Sequence, residues 1–207
     1  GDVRNIDSVT RAVEGVDFVF HAAALKHVPA GELFPWEFTQ TNILGSHNLL
    51  SAIENAGVKK SVFLSTDKAV YPVNAMGMSK ALMEKLVRSQ YYSGPSVNLI
   101  TRYGNVIGSR GSVIPQFISS IRKSGKVQVT NLEMTRFMMS LEESVSLVLF
   151  ALENGNPGDL FVQKAAAATV QNIVGALGIL MEIESVEIEI IGVRPGEKIH
   201  ETLLTSE

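Results

Sequence analysis

The chain has no cysteine. A disulfide framework and a thiolate-bound metal are therefore excluded. The absence suits a reducing compartment, and a cytoplasmic protein is expected. Aromatic residues make up 7% of the 207 residues, with a single tryptophan. Charge of one sign is lacking too: 18 Lys and Arg stand against 21 Asp and Glu, for a net charge of −3. No basic surface is forced, and nucleic acid is not an expected partner. Long hydrophobic runs are missing. A stretch such as Val145 to Leu152 falls far short of the ~20 residues that span a bilayer, so no membrane insertion is expected.

Three motifs are absent as well. No Gly-x-Gly-x-x-Gly follows a first strand, which removes the usual phosphate clamp for a dinucleotide. Gly77-Met78-Ser79-Lys80-Ala81 lacks the second glycine of a nucleophile elbow, so a serine hydrolase is a poor reading. None of Tyr71, Tyr91, Tyr92 and Tyr103 has a lysine four residues on. His21 and His27 stand six apart with no acidic or cysteine partner, and no metal site is expected.

What is present is an alternation of buried strands and amphipathic helices. Val16 to Ala22, Ser61 to Ser65 and Val97 to Tyr103 read as strands; Trp36 to Asn55 and Ala75 to Ser89 read as helices. Such alternation predicts βαβ units and a parallel sheet covered on both faces. Further on, Val113 to Lys123 reads as a helix. Ser140 with Glu143 forms a capping box for another helix, which Gly155 closes. Asp159 to Val162 and Val186 to Ile191 are strand candidates, with a helix from about Thr169 to Met181 between them and a last helix over Glu197 to Leu204. The abrupt opening, Gly-Asp-Val-Arg-Asn, reads as the interior of a longer protein.

In an open parallel sheet, ligands lie beyond the carboxyl ends of the strands. Three polar segments fall there: His21 to His27, Ser65 to Lys68, and Arg102 to Asn105. An acid beside a base, as in Asp67 and Lys68, suits an elimination. Asp67 protonates a leaving hydroxyl, and Lys68 takes a proton from the neighbouring carbon. Lys68 must be neutral for this, which Lys80 would favour if it lay close. An isolated Asp-Lys dipeptide is more commonly a helix-capping surface pair. Met76 shares a helix face with Lys80, and methionine there is ordinarily core filler. Arg110 to Pro115 puts a hydroxyl, Ser112, ahead of a helix, where backbone N–H groups attract anions. Arg136 and Arg194 are candidates to grip phosphate.

Taken together, His21 to Pro29, Ser65 to Lys80, Thr101 to Pro115, Met134 to Ser144 and Gly192 to Lys198 resemble the extended short-chain dehydrogenase/reductase superfamily. Within it, they resemble the UDP-N-acetylglucosamine 4,6-dehydratases that also invert carbon 5, the polysaccharide biosynthesis protein group. The likeness runs from Gly1 almost to Glu207. It implies a Rossmann-like doubly wound parallel α/β sheet lacking its first βαβ unit, with a small interleaved C-terminal substrate-binding lobe. Residues 1–110 would form a partial NADP-binding domain. Residues 111–207 would be mainly the lobe, with some segments returning to the sheet.

The resemblance also implies the site. Asp2, Val3, Ala22, Ala23, Ala24, Lys26, Asn42, Lys80 and Tyr103 would hold NADP. Lys26, Asn105, Ser112, Val113, Arg136, Arg194 and Glu197 would hold UDP-N-acetylglucosamine or a related UDP-sugar. Thr66, Asp67, Lys68, Met76 and Lys80 would be catalytic, with Met76 in the place of the tyrosine that many members use as a base. This matches the branch serving capsule and O-antigen synthesis. The 4-hydroxyl proton must then leave through Thr66, Lys80 or a water. A homo-oligomer is expected. Two other readings stand beside this one: a sugar-nucleotide 4-epimerase on the same fold, and a remnant that binds UDP-sugar without turnover.

Overall fold

A computed structural model describes residues 1–89 and 94–205. Its centre is a four-stranded parallel sheet in the order β1 (Phe18–His21), β2 (Lys60–Thr66), β3 (Val97–Tyr103) and β7 (Leu160–Val162). Helices α1 (Ile6–Val13), α4 (Gly45–Ala56) and α5 (Ala75–Ser89) cover one face, and α7 (Leu141–Asn154) covers the other. The alternation of side chains along a strand explains the two cores. Phe63 and Ile100 pack with Leu50, Ile53, Met83 and Val87 on one side, while Val62 and Leu99 pack with Ala151 on the other. This is the expected doubly wound architecture.

The first helix starts where the Asn5 side chain accepts from Ser8 N at 2.9 Å. Gly1 to Asn5 form no strand; Val3 and Arg4 lie in a turn. Among the described residues, no strand pairs with the outer edge of β1. Phe18 and Phe20 there are about half exposed, and a cavity of about 400 Å³ lies between this edge and the Gly1–Val3 segment.

The expected helix over Trp36 to Asn55 comes in pieces. Short helices α2 (Val28–Leu33) and α3 (Pro35–Phe38) lead into a π-helical segment, Thr39–Leu44, which continues as α4 and ends at Gly57 with φ of 68°. The wider π turn buries Asn42, and such turns concentrate at functional sites. The second lobe comprises α6 (Val113–Ser124) and α8 (Val170–Leu180). Its strands are β4 (Asn105–Val106), β5 (Lys126–Val129), β6 (Thr135–Met139), β8 (Ala166–Thr169) and β9 (Glu187–Ile190). They pair as β4-β6-β8 and β5-β9 around a core of Phe117, Ile121, Val127, Met134 and Leu177. The capping box of α7 forms as expected: Glu143 N donates to Ser140 Oγ at 3.0 Å, and Ser140 N donates to Glu143 Oε2 at 2.6 Å.

One expected helix is absent. Glu197 to Leu204 runs as an extended strap. Its carbonyls are taken by tertiary partners rather than by a helix. Asn74 Nδ2 donates to Gly196 O, Thr135 N to Ile199 O and Arg102 Nη1 to Leu203 O. Helical spacing alone does not outweigh such ties.

Candidate active site

The carboxyl end of β2 delivers Thr66, whose hydroxyl caps a single 3₁₀ turn over Asp67–Ala69 by accepting from Lys68 N at 3.3 Å. The same hydroxyl donates to Asp67 Oδ1 at 2.9 Å. Asp67 is fully buried. Its Oδ1 also receives Lys68 Nζ at 3.0 Å, while Oδ2 is buried without a hydrogen-bond partner among the described residues. Asn105, at the start of β4, accepts from the same Nζ at 3.4 Å. Glu201 Oε1, on the strap, lies 3.6 Å from it. Gly77 lets α5 pass under this turn, because a Cβ there would strike the Lys68 carbonyl.

On α5, Met76 and Lys80 are both buried. Lys80 Nζ touches Met83 Sδ at 3.3 Å. Among the described residues it has no carboxylate within ion-pair reach. Burial pulls its pKa from 10.5 down to about 8, and the Glu84 charge opposes the fall. Glu84 is itself committed: Arg102 Nη2 donates to it at 2.6 Å and Ser65 Oγ at 2.5 Å. Lys80 exerts its charge on His21 and feels that of Glu84, whereas Lys68 sits between two carboxylates.

His21, at the carboxyl end of β1, is held by burial, and secondarily by Lys80, at a pKa of about 4. It is neutral at pH 7. Ser46 Oγ donates to Asn42 O at 2.8 Å, so the 2.9 Å contact between His21 Nε2 and Ser46 Oγ requires the Nε2–H tautomer. Asn42 in turn brackets Leu25, accepting from its N–H at 2.8 Å and donating to its carbonyl at 2.9 Å, and also donates to Ser79 Oγ. A buried polar chain thus ties β1, the π turn and α5 together beneath the 22–27 loop.

The remaining expected residues distribute as follows. Ala22, Ala23 and Lys26 are exposed on the loop after β1, and Ala24 is half-buried. Asp2 is exposed and gripped by Arg4 at 2.7 Å, which holds its pKa at about 2. Tyr103, at the end of β3, has its phenol pKa raised by burial. Ser112 holds the N-cap position of α6 without a side-chain capping bond, its buried Oγ having no partner among the described residues, and Val113 opens that helix. Arg136 spends one nitrogen on the Thr135 and Ile199 carbonyls. Arg194 and Glu197 close a turn on each other, with Glu197 N donating to Arg194 O at 3.2 Å. A concavity of about 490 Å³ along α6 is lined by none of the expected residues.

The sequence marks Arg102 only as the start of a polar strand-end segment, and it does not single out Glu201, Lys198 or Glu84. Glu84 stands four residues after Lys80 on α5, so it had a signal. Glu201 had none beyond following Lys198 by three.

Ala22, Ala23, Gly1–Val3 and the edge of β1 line the 400 Å³ groove. Buried, carboxylate-free Lys80 lies at the same sheet end. These features fit a dinucleotide whose ribose meets an ammonium. Residues 1–207 match the polysaccharide biosynthesis protein family along their whole length. The chain is 53% identical over 210 residues to a UDP-glucose 4-epimerase from Rickettsia rickettsii, covering all of this chain and 61% of that protein. The chain thus spans about three-fifths of the curated relatives it matches. Pen from Bacillus thuringiensis superposes with a TM-score of 0.96 at 40% identity, over 99% of this chain and 66% of Pen. The dTDP-glucose 4,6-dehydratase of Streptomyces venezuelae, solved with NAD, superposes at 0.92 with 22% identity, over 98% of this chain and 69% of that one. The UDP-glucose 4-epimerase of Thermus thermophilus, also solved with NAD, gives 0.89 at 23%, over 99% and 75%. The NADP expectation is corrected on this point, because the cofactor in these relatives is NAD. The whole-length match makes this chain a member of the polysaccharide biosynthesis protein family.

Proposed function

We propose that the chain carries the sugar site of a NAD-dependent UDP-hexose 4-epimerase. One observation supports a sugar site above the others: Thr66, Asp67, Lys68 and Asn105 converge at the carboxyl ends of neighbouring parallel strands. The epimerase reading draws on relatives 53% identical that bear the name UDP-glucose 4-epimerase. It takes precedence over the dehydratase expected from sequence.

When bound, NAD supplies reversible oxidation at carbon 4 of the sugar. Lys80 would hold its ribose, and Ala22, Ala23, Ala24, Asn42 and Tyr103 would line it. Asn105, Ser112, Val113, Arg136, Arg194 and Glu197 would hold the UDP part, with Lys26 at the mouth. The 4-hydroxyl proton needs an acceptor, and Met76 cannot serve. Thr66 offers a relay: its hydroxyl already donates to Asp67 Oδ1 at 2.9 Å. A proton taken by Thr66 Oγ1 is matched by one passed on to that buried carboxylate. The return step reverses the relay.

A second reading, 4,6-dehydration with inversion at carbon 5, is favoured by the unpartnered Asp67 Oδ2 beside Lys68. Moving one proton across the 3.0 Å pair converts ammonium and carboxylate into amine and carboxylic acid. Those are the base and acid an elimination needs. Proton NMR of UDP-glucose and UDP-N-acetylglucosamine with the protein and NAD in heavy water separates the readings. The galacto epimer without deuterium at carbon 5 marks the epimerase. A 4-keto-6-deoxy sugar with deuterium at carbon 5 marks the dehydratase. Unchanged sugars overturn both.

A further inference from the structure

We propose that Glu201 is a positioning residue, which aims the Lys68 ammonium from the far side of the site and couples the 196–203 strap to it. The inference rests on the reading that Lys68 faces the sugar.

Three oxygens from three separate elements surround Lys68 Nζ: Asp67 Oδ1 at 3.0 Å, Asn105 Oδ1 at 3.4 Å and Glu201 Oε1 at 3.6 Å. An ammonium has three protons and a flexible stem, so two hydrogen-bond acceptors and an opposed carboxylate together define its direction. Glu201 is the member that local sequence does not supply. Its side chain is 3% exposed, and its second oxygen lies 3.5 Å from Lys198 Nζ. Lys198 also donates to Val70 O, in the catalytic turn, at 2.5 Å. Charge thus alternates along Asp67, Lys68, Glu201 and Lys198, and each end of the row touches the 66–70 turn.

Burying a carboxylate here has a desolvation cost that an apolar residue would avoid, so a buried pair is weak evidence of a stabilising purpose. Aiming a catalytic amine is a purpose that accounts for it. The strap is stiff enough to do so. It is tied to α5 through Asn74, to β3 through Arg102, and to β6 through Thr135, whose hydroxyl also meets His200 Nδ1 at 2.9 Å. It touches the central sheet and the lobe at once, so lobe position reaches Lys68 through Glu201.

The test uses Glu201→Gln, which keeps the shape and removes the charge, and Glu201→Asp, which keeps the charge on a shorter arm. Lysine acetylation with an N-hydroxysuccinimide ester is followed by mass spectrometry, with exposed Lys59 as the internal reference. Glu201→Gln is expected to raise the Lys68 rate several-fold relative to Lys59, and Glu201→Asp to raise it less. Glu201→Asp decides the matter where Glu201→Gln does not fold. An unchanged Lys68 rate in the folded variants overturns the proposal. In turnover of UDP-sugar with NAD, Glu201→Gln is expected to lower kcat about ten-fold or more with KM nearly unchanged. The reverse pattern, raised KM with kcat intact, also overturns it. A raised Lys68 rate in a protein whose wild type turns over no UDP-sugar supports the placement by Glu201 and defeats the functional reading instead.

Discussion

Replacing Lys80 with methionine should make the protein more stable at neutral pH. Burial depresses its pKa from 10.5 to about 8. At about 1.4 kcal/mol per pH unit, the buried ammonium costs the fold about 3 kcal/mol. The sign follows from linkage. The folded pKa lies below the unfolded one, so the unfolded chain binds more protons between pH 8 and 10.5, and stability rises with pH across that window. In Lys80→Met this rise should vanish, and at pH 7 the variant should gain on the order of 1–3 kcal/mol, since methionine packs beside Met83 without desolvating a charge. The Tyr103 phenol, raised by burial, works the other way above pH 10. The comparison is therefore read as the difference between variant and wild type from pH 7 to 9.5, by urea denaturation. Equal midpoints at pH 7, or a wild type whose stability is flat up to pH 9.5, would refute the reasoning. The cost would then have to be met by something the side chain touches in the fold.

Other outcomes follow from the same geometry. His21, held neutral at a pKa of about 4, should take roughly 3 kcal/mol of stability with it as pH falls from 6.5 to 4; in His21→Gln the acid limb of a denaturation series should be shallower by that amount. Arg102→Met strands Glu84 in the interior and should cost about 3–5 kcal/mol at pH 7, while Glu84→Leu combined with it should recover most of the loss; a single-variant loss under ~1 kcal/mol contradicts this. Gly77→Ala pushes the Lys68 carbonyl and should cost about 1–3 kcal/mol, with a larger relative fall in turnover than in stability. Thr66→Val keeps the size but breaks the relay to Asp67 and should lower kcat about 100-fold, with UDP affinity, measured by calorimetry, unchanged.

The sheet was legible because period-two burial and helix stops are local. α5 and β3 fall on the residues expected, and the Ser140–Glu143 box is a four-residue signal. The elements that escaped are those whose partners are remote. The strap reads as helix by spacing, yet Arg102, Thr135 and Asn74 hold it extended. β5 was not expected, and its pairing with β9, a strand that was expected, spans some sixty residues in a sheet of their own that alternation along the chain does not announce. At the site, Thr66, Asp67, Lys68 and Asn105 were legible as strand-end residues, and they meet. Glu201 was not, because burial of a carboxylate beside Lys68 is a tertiary fact. The surroundings of the two lysines are likewise set by the fold: Lys68 lies between the carboxylates of Asp67 and Glu201, whereas Lys80 is buried with no carboxylate within ion-pair reach among the described residues.

The central claim is that carbon 4 of a UDP-sugar is oxidised at the ends of β2 and β3. The most direct measurement is turnover of UDP-glucose carrying deuterium at carbon 4, with NAD present, against the unlabelled sugar. The account predicts slowing of several-fold by the label, with transient absorbance at 340 nm from reduced nicotinamide that Thr66→Val diminishes. Equal rates for the two sugars with no absorbance at 340 nm would contradict it.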